Sequence, residues 1–349
     1  MEHKTQTLSF RNCLLFFTFQ VVVAFFLFSA LFQVKHGNDQ TEPIDVTSKP
    51  EEPAKIILLW TWPFGYTFPL NKCPSQFDGT GCFFTANRSL YSEAAAVVLH
   101  SRDVCSSRNQ LPQAPRPPKQ YWVWFTLESP SHNPNTAFME KLINLTMSYR
   151  ADSDIFTPYG WLERHDGKEN FTMPAKTKLV AWVVSNWNPN SRRIKYYEEL
   201  KPHLAVDIYG LQHLPLPRPK HIEILSQYKF YLAFENSIHE DYITEKLWHN
   251  ALSSWALPVV LGPSRSNYER FLPPESFIHV DDFPTAKGLA DYLNELDKDD
   301  NKYMQHFNWR KHLKPVAPES WNPHYCKVCK AIKDAPSYRT FPSITNWFK

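Results

Sequence analysis

Two series of short apolar runs, alternating with helix-length or loop segments and divided near residue 170, predict an α/β chain of two Rossmann-like domains facing each other across a cleft. An uncharged apolar stretch ahead of them predicts one membrane-crossing helix. A polar, proline-containing segment in between predicts a flexible stem. Hydrophobic content of 43% and aromatic content of 15% fit a folded globule. About 300 residues follow the stem, more than one comfortable core holds, which again points to two domains.

The apolar stretch runs from Cys13 to Val34, 22 residues without a charge. At 1.5 Å per residue it reaches about 33 Å, enough to cross a hydrocarbon core. A cleaved signal peptide has a shorter apolar core, and no A-x-A-like site follows Ser29 and Ala30, so residues 13–34 read as an uncleaved anchor and 1–12 as a cytoplasmic tail. Lys4 and Arg11 precede the anchor and Lys35 follows it, so flanking charge orients it only weakly. Three N-glycosylation sequons, at Asn87, Asn144 and Asn170, all lie after it and place the large C-terminal part in a lumen. Residues 35–54 form the stem.

In the first domain, 55–172, the strand candidates are Ile56–Trp60, Ala95–Leu99 and Tyr121–Phe125. The proline-rich stretch Leu111–Pro118 is a loop, because proline continues neither element. The second domain, 173–325, offers Leu179–Val184, Val206–Tyr209, Tyr228–Phe234, Leu257–Leu261 and Ser276–Val280 as strands. Its helix candidates are Arg192–Leu200, Glu245–Ser254, Thr285–Glu295 and Lys302–Trp309. Of six cysteines, Cys13 lies in the anchor, Cys73 and Cys82 near the domain start, and Cys326 and Cys329 near the chain end. A zinc site would want matching close spacing in both pairs, whereas an oxidising lumen favours bridges that tie the tail, 326–349, to the first domain. Cys105 is left over as a free thiol. Net charge is only +3 and no basic stripe is present, so nucleic acid is not an expected partner.

In open α/β sheets ligands bind beyond the carboxyl ends of the strands, and three clusters meet that criterion. Phe234-Glu235-Asn236-Ser237 leads to Asp241-Tyr242-Ile243-Thr244-Glu245-Lys246 at a helix start, where Thr244 fits an N-cap and a diphosphate would meet free N–H groups. An ordinary capped helix with solvated charges fits the same residues equally well. Val183–Asn188 ends a strand and is followed by Arg192 and Arg193, whose planar forks suit phosphate, although a surface arginine is the commoner fate. With only nine glycines, and Gly79-Thr80-Gly81 following no strand, side chains are better phosphate ligands here than a glycine loop. Phe125-Thr126-Leu127-Glu128 puts a carboxylate just past an aromatic strand, where it could take a proton from a sugar hydroxyl or simply receive backbone N–H bonds. Asp152-Ser153-Asp154 matches the D-x-D pattern that holds a divalent cation, but it lies by the domain junction and reads as structural.

Together these segments carry a resemblance. FYLAFENSIHEDYITEKLWHNAL, AWVVSNWNP, PVVLGPSRSNYE, WVWFTLESPSH and DSDIFTPYG resemble the vertebrate α1,3-fucosyltransferases of glycosyltransferase family 10, in the right order from about Lys55 to Lys349. The resemblance implies a GT-B fold and metal-independent, inverting transfer of L-fucose from GDP-β-L-fucose to O3 of N-acetylglucosamine in type 2 N-acetyllactosamine glycans of glycoproteins and glycolipids. It implies Glu128 as the base and Ser185, Asn186, Arg193, Tyr231, Asn236, Tyr242, Glu245 and Lys246 around the donor, with Arg193 and Lys246 on the diphosphate. It also implies the bridges Cys73–Cys326 and Cys82–Cys329, and residence in the Golgi membrane as a single-pass protein with a lumenal catalytic part.

On the acceptor side, His100-Ser101-Arg102-Asp103 stands where relatives carry His-His-Arg-Asp or His-His-Trp-Glu-like residues. Arg102 points to 1,3 transfer, while Ser101 departs from the pattern. Tyr66 replaces the glutamine of a close relative's WPFGQ, so Tyr66, His100 and Arg102 are the acceptor-side candidates. The rival readings are α1,4 transfer to type 1 chains, a transferase for another nucleotide sugar, and a non-catalytic lumenal sugar-binding protein. The sequence is silent on oligomeric state.

Overall fold

The computed structural model describes residues 53–349 except 75, 76, 78, 106, 168, 169, 319 and 336. The expected tail, anchor and nearly all of the stem lie outside the described residues. Among those described, no helix is long and apolar enough to cross a membrane.

Six parallel strands form the first sheet: β1 (Lys55–Leu59), β2 (Cys82–Thr85), β3 (Ala96–His100), β4 (Tyr121–Thr126), β5 (Leu145–Ser148) and β6 (Ile155–Phe156), in the order β2-β1-β3-β4-β5-β6. The register Val98↔Val123 and Val123↔Leu145 aligns the apolar centres of the middle strands. Those strands are buried on both faces, as parallel sheets require, and β4 fits because aromatic and β-branched side chains pack well on a pleated surface. The second sheet is also parallel: β8 (Lys178–Val183), β9 (Asp207–Tyr209), β10 (Tyr228–Phe234), β11 (Leu257–Leu261) and β12 (Ile278–His279), ordered β12-β11-β10-β8-β9. The helix Ala286–Lys298, capped by the Thr285 hydroxyl on the Gly288 N–H, turns Leu289, Leu293 and Leu296 into the core of this sheet. An antiparallel pair, β7 (Trp161–Arg164) and β13 (Leu313–Val316), joins the two regions.

The structure extends the expected strands with β2, β5 and β6, and with the β7–β13 pair. It also moves one boundary: the helix Asn322–Asp334 begins inside the expected second domain and runs through residue 326. That helix packs against the first sheet through Tyr325, Val328, Cys329 and Ile332. The bridges Cys73–Cys326 and Cys82–Cys329 hold it there, closing separations of 253 and 247 residues. Cys105 is free and half-buried.

The sequons divide. Asn87 and Asn170 are exposed. Asn144, expected on the surface with them, is buried instead: its Oδ1 accepts from the Trp122 N–H at 2.7 Å and from Arg116, and its Nδ2 donates to the Arg339 carbonyl at 2.6 Å. Both carboxylates of the D-x-D sequence are engaged within the fold. Asp152 pairs with Arg150 and accepts from the Trp347 indole, and Asp154 accepts from the Thr146 N–H and hydroxyl at 2.8 Å each.

Candidate active site

The segments that follow β4 and β5 contact the segment that follows β10, beside a cleft lined by residues of both halves. The segment after β4 and the segment after β10 touch directly: the Ser237 hydroxyl donates to Ser129 Oγ at 2.7 Å, and Ser131 Oγ lies 2.7 Å from His239 Nε2. Asp241, at φ +61°, is buried and accepts from the Ala151 N–H at 2.9 Å with one oxygen and from Asn267 Nδ2 at 2.8 Å with the other. A non-glycine residue in the left-handed region needs such over-determination. The clamp fixes the start of the segment that carries Tyr242, Thr244, Glu245 and Lys246.

Thr244 stands at the helix start as expected: its carbonyl accepts from the Leu247 and Trp248 N–H groups and its Oγ1 from the Lys246 N–H at a long 3.5 Å. Its hydroxyl also donates to buried Glu235, whose Oε1 accepts the Thr244 N–H at 2.8 Å. The helix that follows, Lys246–Leu252, is a π-helix, a form that clusters at functional sites. Lys246 Nζ donates to Glu235 Oε2 at 3.0 Å, Thr244 Oγ1 at 2.8 Å and Glu245 Oε1 at 3.3 Å. Burial opposes the ammonium charge, yet the Glu235 and Glu245 carboxylates hold the Lys246 pKa above its ordinary value. For Glu245, desolvation pushes the pKa up, and the Lys246 charge together with hydrogen bonds from its own backbone N–H, Lys246 and Thr244 brings it below the usual range.

Arg193, on the helix Arg192–Leu200, is buried, donates Nη2 to the Asn186 carbonyl at 2.6 Å and leaves Nε with no partner. A buried guanidinium with an unused donor is an unmet demand for an acceptor. Burial depresses its pKa, with Glu235, Tyr242 and Glu245 near enough to oppose that. Ser185 and Asn186 are exposed at the end of β8, and Asn236 is half-buried, its Oδ1 lying 2.9 Å from Ser237 Oγ. Gly210, at φ +123°, lets the neighbouring loop pass the Val184 carbonyl, which a Cβ there would meet at 2.2 Å. Two of the expected donor residues are buried tyrosines. Tyr231 is fully buried with its hydroxyl accepting from Asn250 at 2.8 Å, and Tyr242 is buried against Tyr149 with ring centroids 5.0 Å apart.

Glu128 is half-buried at the end of β4, its N–H bound to Thr126 Oγ1 at 3.1 Å. Its charge acts on the same two buried phenols as the carboxylates beside Lys246. Burial raises the Tyr159 and Tyr242 phenols, and Glu128, Glu235 and Glu245 each raise them further. A cavity of about 360 Å³ is bounded by Leu127 and Tyr159 on one side, Glu245 and His249 on the other, and Trp321 and His324 from the C-terminal region.

Among the acceptor-side candidates, Tyr66 is 59% exposed, and Arg102 is exposed and donates to the His132 carbonyl. His100 departs from expectation: it is 1% exposed, its ring packed between Phe64 at 4.8 Å and Phe125 at 5.5 Å. Its Nδ1 lies 2.7 Å from Asp103 Oδ2, which also accepts the Phe64 N–H at 3.2 Å. His100 and Asp103 thus hold the Phe64–Tyr66 turn, where Phe64 takes φ +52°.

Gly160 brings the first region against the π-helix, since a Cβ there would meet the Trp248 indole at 2.5 Å. Gly160→Ala forces that helix outward. The expected cost is about 1–3 kcal/mol of stability, read by thermal unfolding, with an unchanged midpoint as the contrary result.

Sequence reasoning quoted Glu235 without assigning it a role and gave Thr244 only the role of N-cap, and it missed the clamp at Asp241. It also passed over Tyr159 and His249, whose signal was their place in motifs noted for other residues, and Trp321, which lies in none of those motifs.

The same division into two halves recurs in known proteins. Residues 52–160 match the family described as fucosyltransferase, N-terminal, and residues 173–347 match glycosyltransferase family 10 (fucosyltransferase), C-terminal. The chain is 51% identical over 350 residues to human 4-galactosyl-N-acetylglucosaminide 3-alpha-L-fucosyltransferase FUT6, covering 97% of each chain. It is 49% identical over 349 residues to human 3-galactosyl-N-acetylglucosaminide 4-alpha-L-fucosyltransferase FUT3, covering 97% of this chain and 96% of that one. A crystal structure of an alpha1,3-fucosyltransferase superimposes with a TM-score of 0.54 at 18% identity, over 86% of this chain and 96% of that chain, and shows the shared GT-B-like fold. The chain therefore belongs to glycosyltransferase family 10, the fucosyltransferases.

Proposed function

We propose that the protein transfers L-fucose from GDP-β-L-fucose to O3 of N-acetylglucosamine in type 2 N-acetyllactosamine chains of glycoproteins and glycolipids, with inversion. The observation that carries this is the single cavity shared by the segment next to Glu128 and by Glu245, with the Lys246 ammonium beside it. Glu128 takes the proton of the acceptor O3–H as that oxygen attacks the anomeric carbon. The bond to the diphosphate breaks on the opposite face, and its electron pair leaves with GDP. Negative charge then develops on the diphosphate, where Lys246 and the unpaired Nε of Arg193 stabilise it most. These residues are the chain's own means of receiving that charge, so the reaction needs no added metal. Arg102, in place of an aromatic residue, supports 1,3 over 1,4 transfer, and exposed Tyr66 and Phe64 form the wall that meets the acceptor. The apolar segment 13–34, the exposed sequons at Asn87 and Asn170 and the two disulfides support a Golgi membrane protein with its catalytic part in the lumen.

Purified full-length protein is tested with GDP-fucose and a panel of type 1 and type 2 acceptors, followed by product linkage analysis. Fucose on O3 of type 2 acceptors, with turnover surviving EDTA, is the expected result. Folded protein without turnover on any acceptor overturns the reading, and loss of activity to chelator with rescue by Mn²⁺ overturns the metal-independent step.

A further inference from the structure

Glu235 contributes no exposed surface to the cleft, yet it is the residue on which the cationic cluster is assembled. Its side chain is 0% exposed and that of Lys246 is 12% exposed. It receives three donors, the Thr244 N–H and hydroxyl and the Lys246 ammonium, at 2.8–3.0 Å. The Thr244 hydroxyl closes the triangle by accepting from Lys246 Nζ at 2.8 Å. By contrast, the third contact of Lys246, to Glu245, is longer at 3.3 Å, and the Glu245 side chain is 53% exposed. Burial, opposed by Lys246 and aided by the Glu245 charge, leaves the Glu235 pKa above the usual carboxylate range. Its geometry is that of an acceptor, with three donors converging on its two oxygens.

We infer that Glu235 is a positioning residue for the transfer: with Thr244 it fixes Lys246 Nζ at the cleft wall, leaving the Glu245 contact as the one exchanged for a diphosphate oxygen. This rests on the reading of Lys246 as the group that meets the leaving diphosphate. A fixed cation costs no reorganisation when charge develops on the leaving group, whereas one free to swing must first be ordered. Glu235 also places a negative charge near the diphosphate. Its removal therefore does not weaken ground-state binding of GDP as it weakens the chemical step.

The test is a double-mutant cycle on the full chain, reading kcat with GDP-fucose and the Kd for GDP. Glu235→Gln is expected to lower kcat about tenfold while GDP affinity stays within about twofold or tightens. In the Lys246→Ala background the same substitution is expected to leave kcat unchanged. An equal fall in both backgrounds, or GDP affinity lost in step with kcat, overturns the proposal. If Glu235→Gln does not fold, Thr244→Val removes the bridging hydroxyl and is held to the same coupling. Lys246→Ala with unaltered turnover would instead strike the reading of Lys246 itself, so the two failures are distinct.

Discussion

Replacing Glu128 with glutamine is expected to lower turnover between about a hundred- and ten-thousandfold while GDP remains bound. The amide is isosteric and still accepts a hydrogen bond, so acceptor and donor can dock, but it cannot take the O3 proton. Nothing in the Lys246–Glu235–Arg193 cluster depends on Glu128, whose own backbone bond is to Thr126 on its side of the cleft. Steady-state kinetics with calorimetric GDP titration separates the two effects. Retained turnover with lost GDP affinity would mean that the base and diphosphate roles are reversed.

The second large effect belongs to the cysteines. Replacing Cys73, Cys82, Cys326 and Cys329 with serine frees the helix Asn322–Asp334 from the first sheet. Each bridge closes about 250 residues, and loss of a native bridge typically costs about 2–5 kcal/mol. A whole domain is stable by only about 5–15 kcal/mol, so the quadruple variant is expected to leave little folded protein at 37 °C. Removing one pair is expected to lower the unfolding midpoint by several degrees. A quadruple variant that unfolds at the parent temperature would show that apolar packing of Tyr325, Val328 and Ile332 alone holds the helix.

How much of this was written in the chain depends on range. The middle strands were legible because parallel strands buried on both faces read as continuous apolar runs, as in YKFYLAF of β10 and LPVVL of β11. Strand β5 was not, because LTMS buries Thr146 and Ser148, whose hydroxyls are satisfied by Asp154 and Ser153 only once the fold has formed. The site clusters were visible as polar residues after strands, and the segment 235–246 was named from them. The Glu235–Lys246 contact was not visible, since a non-glycine turn at Asp241 and a bond from Ala151 bring those residues together. The burial of His100 was not legible either: it ends β3, a strand buried on both faces, while its motif neighbours Arg102 and Asp103 are exposed or half-buried.

The Cys73–Cys326 and Cys82–Cys329 bridges also set an order on biosynthesis. When the strands of the first sheet leave the ribosome, the helix that covers part of them has not been made, and at about 5–20 residues per second it follows roughly 12–50 seconds later. Until then Cys73 and Cys82 have no native partner, and each is the other's nearest available thiol. A Cys73–Cys82 bond formed in that interval would have to be isomerised before either native bridge could close, so yield is expected to follow a host's disulfide-isomerase capacity more closely than its translation rate.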